Sequence, residues 1–273
     1  MMPTAFIPSL HPAALPAGLD WHEHGQATLS GALLDYFERL DAGIAAFADT
    51  LAATPLRPPA CLPPGVADRC GYLSSFPHHA SLARPYANSS DDDPGCVLTP
   101  AACYHVYPRL AGRDLGDASV HTLRATCFRN ESHFLPLERQ WAFTMREIVC
   151  VGTQTEVEAF LHRLHGVVAG WCRRLGLRGR FEQATDPFFD PASSPGWLAQ
   201  RLHPLKIELQ VHDVAIASFN QHQSHFGEAF DIRRDEHVAW TGCVAFGLER
   251  WLLALLRCHG NDPARWPAPE VLS

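Results

Sequence analysis

The sequence has no pair of cysteines in a Cys-x-x-Cys spacing, although it carries 9 cysteines, at positions 61, 70, 96, 103, 127, 150, 172, 243 and 258. An odd, scattered set argues against a disulfide framework and for reduced thiols, some of them available to a metal. The N-terminal stretch MMPTAFIPSLHPAALP lacks the basic region and apolar core of a secretory leader, and no apolar run approaches membrane-spanning length. Positive charge is in deficit. The 22 Lys and Arg face 29 Asp and Glu, a net charge of −7, which disfavours a tRNA or DNA partner because phosphate binding needs a basic footprint. No internal repeat is visible. These absences predict a soluble, cytoplasmic protein without membrane association. The chain does have 47% hydrophobic and 19% charged residues over 273 positions, the balance of a globular chain of one large domain or one domain with a small appendage.

Residues before about Asp20 read as irregular. Leu33, Phe37, Leu40, Ile44 and Phe47 recur at helical spacing and predict a helix from near Ser30 to Ala53, stopped by the proline-rich TPLRPPACLPPG. ANSSDDDPGC is a turn-rich loop, and LTPAACYHVYPRLAG reads as a strand with Cys103 near its start. Thr126 to Val149 reads as two strands joined by a loop. Thr153 and Glu156 form a capping-box pattern that opens a helix to about Leu175, ended by Gly176. DPFFDPASSPGW is a loop. LKIELQV and VAIASFN are two strands, QHQSHFGEAF is His-rich, and HVAWTGCVAFGLERWLLALLRCHG gives a strand, a glycine turn and a terminal helix. Strands in hairpin order with few helical crossovers predict an α+β fold, an antiparallel sheet flanked by helices. Residues 1–65 form a helical segment with its connector and 66–273 the main domain, one compact unit overall.

The segment TCFRNESHFLPLERQWAFTMREIV carries charge where a half-buried strand is expected to be apolar. Alternate side chains share a face, so Cys127, Arg129 and Glu131 point one way on the first strand. Arg139, Trp141, Phe143, Met145 and Glu147 share a face of the second. A solvated sheet face with alternating charge competes with a site for a charged, planar ligand. Guanidinium forks suit phosphate oxygens, and an aromatic face suits a purine.

FRNE, a loop, then RQWAF and Glu147 resemble motif 2 of the class II aminoacyl-tRNA synthetases in the seryl spacing, and CVAFGLERWLLALL resembles their motif 3. The resemblance implies the class II catalytic fold over 66–273. It places Arg129 on the α-phosphate of ATP, Glu131 on the adenine amino group, Arg139 near the phosphates and Phe143 beneath the ring. Gly247 is the turn of motif 3 and Arg250 its phosphate-binding arginine. GYLSSFPHHA resembles the lead-in strand of seryl-type domains. Cys103, Glu147 and Cys243 are similar to the zinc ligands of the atypical seryl-tRNA synthetases of methanogens and of their stand-alone relatives, the amino acid:[carrier protein] ligases. In that family zinc takes the substrate's α-amine at its open position. Two buried cysteines and a salt-bridged glutamate are the alternative reading.

By the same resemblance Glu208, Lys206, Ser218 and Asn220 line the substrate pocket. The strand that usually carries a second ATP- and magnesium-binding carboxylate reads VAIASFN, with Ala215 and Ile216 there instead. Glu147, Glu208 or His222 then compensates, or metal binding differs. His222 and His225 are weaker ligand candidates, and Cys127 and Cys150 are expected to be packing residues. The short N-terminal region holds no extended tRNA-binding arm, so the resemblance implies transfer of glycine or alanine to the phosphopantetheine thiol of a carrier protein, with ATP, Mg2+ and Zn2+, by a homodimer. Arg173, Arg174, Arg178 and Arg180 are a candidate dock for an acidic carrier, or simply favourable charge at a helix C-terminus. A non-catalytic paralogue that binds an amino acid or nucleotide, and a truncated tRNA synthetase, are the competing functions.

Overall fold

The computed structural model describes residues 10, 15–86 and 95–269. Its central sheet is built from β1 (Thr54–Leu56), β2 (Ser119–Phe128), β3 (Ala142–Gly152), β4 (Gly179–Gln183), β5 (Lys206–Val211), β6 (Val214–Gln223) and β7 (Trp240–Gly247). The strands lie in the order β4-β5-β6-β7-β3-β2-β1. All neighbours are antiparallel except β1, which joins β2 in parallel at one edge. The helices that matter for the site are α1 (Gly31–Asp49), α2 (Gln154–Arg174), α3 (Pro195–Leu202), α4 (His225–Phe230) and α5 (Leu248–His259).

Alternation along β3 and β7 gives each sheet face its own core. Ile148, Val244 and Phe246 pack under α1, α2 and α5 with Leu40, Ile44, Leu164, Trp171 and Leu252. Val149, Cys243 and Ala245 face the other way, against Ala102, Tyr107, Phe226 and Phe230. The first face is mostly hydrocarbon, interrupted where Arg146 of β3 bonds Asp41 of α1. The second is where acidic and thiol side chains collect.

The helix expected from near Ser30 forms as α1, and Leu33, Phe37, Leu40, Ile44 and Phe47 are its buried stripe. The capping box of α2 is complete: Glu156 N donates to Thr153 Oγ1 at 3.2 Å, and Thr153 N donates to Glu156 Oε2 at 2.7 Å. Gly176 ends that helix with φ +69, the left-handed conformation that suits glycine.

Other expectations are corrected. LTPAACYHVYPRLAG is not one strand. A short strand at Cys96–Leu98 gives way to a 3-10 turn at Ala102–His105 and a helical turn at Tyr107–Leu110, where Pro108 sits in the first turn and its missing N–H is harmless. Cys103 is therefore on a turn. GYLSSFPHHA is likewise helical, at Tyr72–Ser75 and Pro77–His79, with no lead-in strand. DPFFDPASSPGW contains the start of α3, capped where Trp197 N donates to Ser194 Oγ at 3.2 Å. QHQSHFGEAF ends β6 and then forms α4. Near the N-terminus, Leu19–His22 and Gln26–Leu29 pair as a hairpin in a region that carried no strand signal. Residues 87–94 of the ANSSDDDPGC loop lie outside the described residues. The strand-to-α5 turn at Gly247 has φ −81, so it needs no glycine-only backbone.

Candidate active site

The expected hairpin forms, but β2 ends at Phe128 and β3 begins at Ala142, so Arg129, Glu131, Arg139 and Trp141 lie in the connection and not on the strands; the register of the strands sets the site. Leu123 pairs with Glu147 and Cys127 with Phe143 across β2 and β3. Ala245 on β7 pairs with Glu147, and Asn220 on β6 pairs with Cys243. Phe143, Met145 and Glu147 thus look into one cavity of about 630 Å³, together with Arg129, Glu131, Arg139, Glu208, Asn220, Cys243 and Arg250. That size suits a nucleotide-sized ligand.

At one end lie Cys103, Glu147 and Cys243, all buried, with their donor atoms within 4.8 Å of one another. The 3-10 turn aims Cys103 at Glu147, and the Cys103 amide donates to Glu147 Oε1 at 3.1 Å. The other carboxylate oxygen, Oε2, has no hydrogen-bond partner among the described residues, although Glu147 is 1% exposed. Such an orphaned atom in a native interior calls for an explanation. The Cys103 thiol is pushed well up by its hydrogen bond with Cys243, then by burial and the Glu147 charge. For Cys243, the hydrogen bond with Cys103 pulls downward, and burial and Glu147 outweigh it. Three acidic groups crowded in a dry pocket are mutually costly unless a dication lies between them. Two thiolates and one carboxylate, the latter with an oxygen left unpartnered, therefore fit a metal ion.

At the other end the guanidinium of Arg129 lies 5.3 Å from the Phe143 ring centroid, and its Nε and one terminal nitrogen donate to the Pro100 carbonyl, each at 3.3 Å. Glu131 pairs with Arg139 at 2.6 Å. Arg250, in the first turn of α5, donates from Nε to the Glu138 carbonyl at 2.8 Å and from a terminal nitrogen to the Ala215 carbonyl at 3.1 Å. Burial, and the nearby Arg129 charge after it, weaken its hold on its proton. Positive charge is in excess at this end, which is what a polyphosphate would relieve. Beside Arg250, both oxygens of Glu249 accept the Thr144 amide, at 2.8 and 2.9 Å, and burial pushes its carboxyl up to about 7. Glu249 bolts α5 to β3.

The flank is formed by β5 and β6. Lys206 bridges Asp186, at 2.5 Å, and Glu208, at 3.4 Å, while Asn220 donates to Ser218 Oγ at 3.1 Å. The carboxylate-free positions, Ala215 and Ile216, both border the cavity, and Ile216 also packs in the opposite core. Cys127 and Cys150 are buried, as expected of packing residues. His225 Nε2 donates to the Cys70 carbonyl at 3.1 Å, away from the thiol pair. The sequence reading missed Asp186, Glu138 and Glu249 as cavity residues. Only Glu249 had a signal, its place beside Arg250 at the helix start.

The arginine cluster is elsewhere. Arg173, Arg174, Arg178 and Arg180 are exposed at the end of α2 and on β4. Arg180 is matched by Glu182 at 2.6 Å and Asp213 at 2.7 Å. His259, at the far end of α5, contacts the Leu175 carbonyl at 2.8 Å. The cluster therefore stands nine residues, roughly 14 Å, along α5 from Arg250.

No family model matches the chain. Among relatives, amino acid–[acyl-carrier-protein] ligase 1 of Bradyrhizobium diazoefficiens is 36% identical over 231 residues, 74% of this chain and 70% of the relative. Ligase 2 of the same organism is 36% identical over 228 residues, 73% of this chain and 68% of the relative. The chain belongs to the amino acid–[acyl-carrier-protein] ligase family. Its class is therefore that of a ligase. A type-2 serine–tRNA ligase of Methanopyrus kandleri is more distant, 26% identical over 196 residues, 65% of this chain and 37% of that protein. Among solved structures, a complex of M. kandleri SerRS with A. aeolicus tRNASec aligns with TM-score 0.79 at 20% identity, covering 92% of this chain and 57% of that chain. The seryl-tRNA synthetase of Pyrococcus horikoshii complexed with ATP aligns with TM-score 0.69 at 13% identity, covering 89% and 56%. The fold of this ligase-family member is the class II synthetase catalytic fold, α+β with an antiparallel sheet flanked by helices. No helix among the described residues is long and apolar enough to cross a membrane.

Proposed function

We propose that the protein uses ATP to activate a small amino acid, glycine or alanine, as its adenylate and passes the aminoacyl group to the phosphopantetheine thiol of a carrier protein. One observation carries this reading: the acidic trio and the arginine-rich end share a single cavity, joined by β3. Zinc is the ion that two thiolates and a carboxylate suit. Cys103, Glu147 and Cys243 would hold it, and when bound it supplies an open position for the substrate's neutral α-amine.

The chain's own residues then position the reactants. Phe143 offers a flat face to the purine, and Glu131 an acceptor for its amino group. Arg129, Arg139 and Arg250 gather the phosphates. Ser218, Asn220, Lys206 and Glu208 line the flank beside the amine. The substrate carboxylate oxygen attacks the α-phosphorus, the new P–O bond forms, and pyrophosphate leaves. Guanidinium charge stabilises the crowded phosphorus, so positioning and electrostatics supply the rate. The carrier thiolate next attacks the acyl carbon and AMP departs, with no nucleophile from the enzyme. Magnesium accompanies the nucleotide. With Glu147 turned to the trio and His222 to Cys243, Glu208 is the proposed carboxylate compensating for Ala215. Of the four arginines, Arg180 is matched by Glu182 and Asp213, and Arg173, Arg174 and Arg178 are the proposed carrier contact, with a homodimer the proposed assembly and the cytoplasm its compartment.

Pyrophosphate exchange across a panel of amino acids, with and without a zinc chelator, tests the reading. Chelator-sensitive exchange with glycine or alanine is expected. A chain that exchanges with no amino acid is instead a non-catalytic paralogue, the reading that Ala215 favours. Charging of tRNA but not of a phosphopantetheinylated carrier would sink the carrier assignment.

A further inference from the structure

β6 is not regular to its end. Gln221 pairs with Gly242 and Gln223 with Thr241, so His222 is an extra residue in the ladder, followed by Gln223 at φ +54. A bulge of this kind re-aims a side chain. Here it aims a half-buried imidazole at the acidic trio: His222 Nε2 lies 3.8 Å from Cys243 Sγ. His222 is not one of the trio's close donors, since the group whose ligand atoms lie within 4.8 Å of one another is Cys103, Glu147 and Cys243.

The far side of the ring favours one tautomer. Nδ1 lies 3.1 Å from Thr241 Oγ1 and 3.4 Å from the Tyr107 hydroxyl. Thr241 and Tyr107 are both 0% exposed, and a buried hydroxyl needs an acceptor for its proton. With Thr241 donating to Nδ1, the imidazole's own proton sits on Nε2 and faces the sulfur. Asn220 Nδ2 donates to the same sulfur at 3.5 Å. Two N–H groups thus converge on Cys243.

We infer that His222 is a positioning residue for the metal centre, donating its Nε2–H to the Cys243 thiolate and fixing that sulfur's orientation and charge. The inference rests on the metal reading above. Loss of such an outer partner generally weakens metal affinity 10–100-fold.

The test uses zinc itself and cobalt(II) as probes. Chelator competition is expected to show zinc bound roughly 10–100-fold more weakly in His222→Ala than in the wild type. In the cobalt-loaded proteins, the thiolate-to-metal charge-transfer band is expected to shift in His222→Ala and to move back in His222→Gln, which restores an N–H donor. Thr241→Val, which frees the ring's tautomer with a smaller change of shape, is expected to weaken zinc in the same direction and serves if His222→Ala does not fold. Zinc affinity and cobalt spectrum unchanged in folded His222→Ala, or in Thr241→Val if that is the variant that folds, overturn the role of His222 alone. A wild-type chain that retains no zinc overturns the metal reading and this role together.

Discussion

Replacing Glu249 by glutamine tests whether the bolt between α5 and β3 carries a buried, readily protonated carboxyl. The side chain is 8% exposed and meets the Thr144 amide with both oxygens. Burial raises its pKa from 4.5 to about 7. At about 1.4 kcal/mol per pH unit, that difference is worth about 3 kcal/mol. The folded chain keeps this proton to higher pH than the unfolded chain does. Stability therefore falls as pH rises from about 4.5 to about 7, and above that range the ionised carboxylate exerts its full cost. Buried histidines work in the opposite sense: His105 and His222, both lowered to about 4 by burial, withdraw stability as pH falls below 6.5. The difference between the two proteins cancels those histidine contributions. In urea melts at pH 5, 6, 7 and 8, Glu249→Gln is expected to gain on the wild type with rising pH, by up to about 3 kcal/mol between the extremes. Parallel curves across that range would refute the buried-proton account. A gain at pH 5 that shrinks toward pH 8 would reverse its sign.

Three other outcomes are expected. Asp41 on α1 is 6% exposed and takes Arg146 on two oxygens, at 2.7 and 2.6 Å, so Asp41→Ala strands a guanidinium and should cost about 3–5 kcal/mol in denaturant unfolding. Arg250→Ala should lower the maximal exchange rate roughly 10²–10³-fold while zinc content stays at the wild-type level, because it removes a charge aimed at phosphate and leaves the trio intact. Arg173→Glu with Arg174→Glu should raise the KM for the carrier and flatten its salt dependence without changing pyrophosphate exchange; unchanged carrier kinetics would move the dock elsewhere on the surface.

The parts legible in the sequence are those where a period or a cap speaks locally. β2 and β3 announced themselves by alternation, α1 by its apolar stripe, and α2 by Thr153 and Glu156. Of the residues now seen around the cavity, Arg129, Glu131, Phe143 and Glu147 lie on or between β2 and β3, whereas Cys243 on β7 and Arg250 on α5 came from the resemblance to a known family. What stayed hidden depends on contacts distant in the chain. The segment around Cys103 mixes aromatic and β-branched residues that favour strands, yet Pro100 and Pro108 bracket a 3-10 turn whose amide finds Glu147. α3 and α4 run over 8 and 6 residues, too short for helical periodicity to separate from loop. Asp186 lies in a loop with no pattern, and the bulge at His222 depends on how β6 pairs with β7.

Because Phe143 and Glu147 sit on the same face of β3, four residues apart, the distance between the proposed ring seat and the proposed amine-holding end is a covalent length of roughly 13 Å. The strand is a ruler. Side chains around it can change which amino acid fits, but one residue inserted between those marks would turn Phe143 or Glu147 to the opposite core. On the proposed function, substrate choice is thus free to drift at the flank, on β5 and β6, while the span from nucleotide to amine is held by the backbone itself.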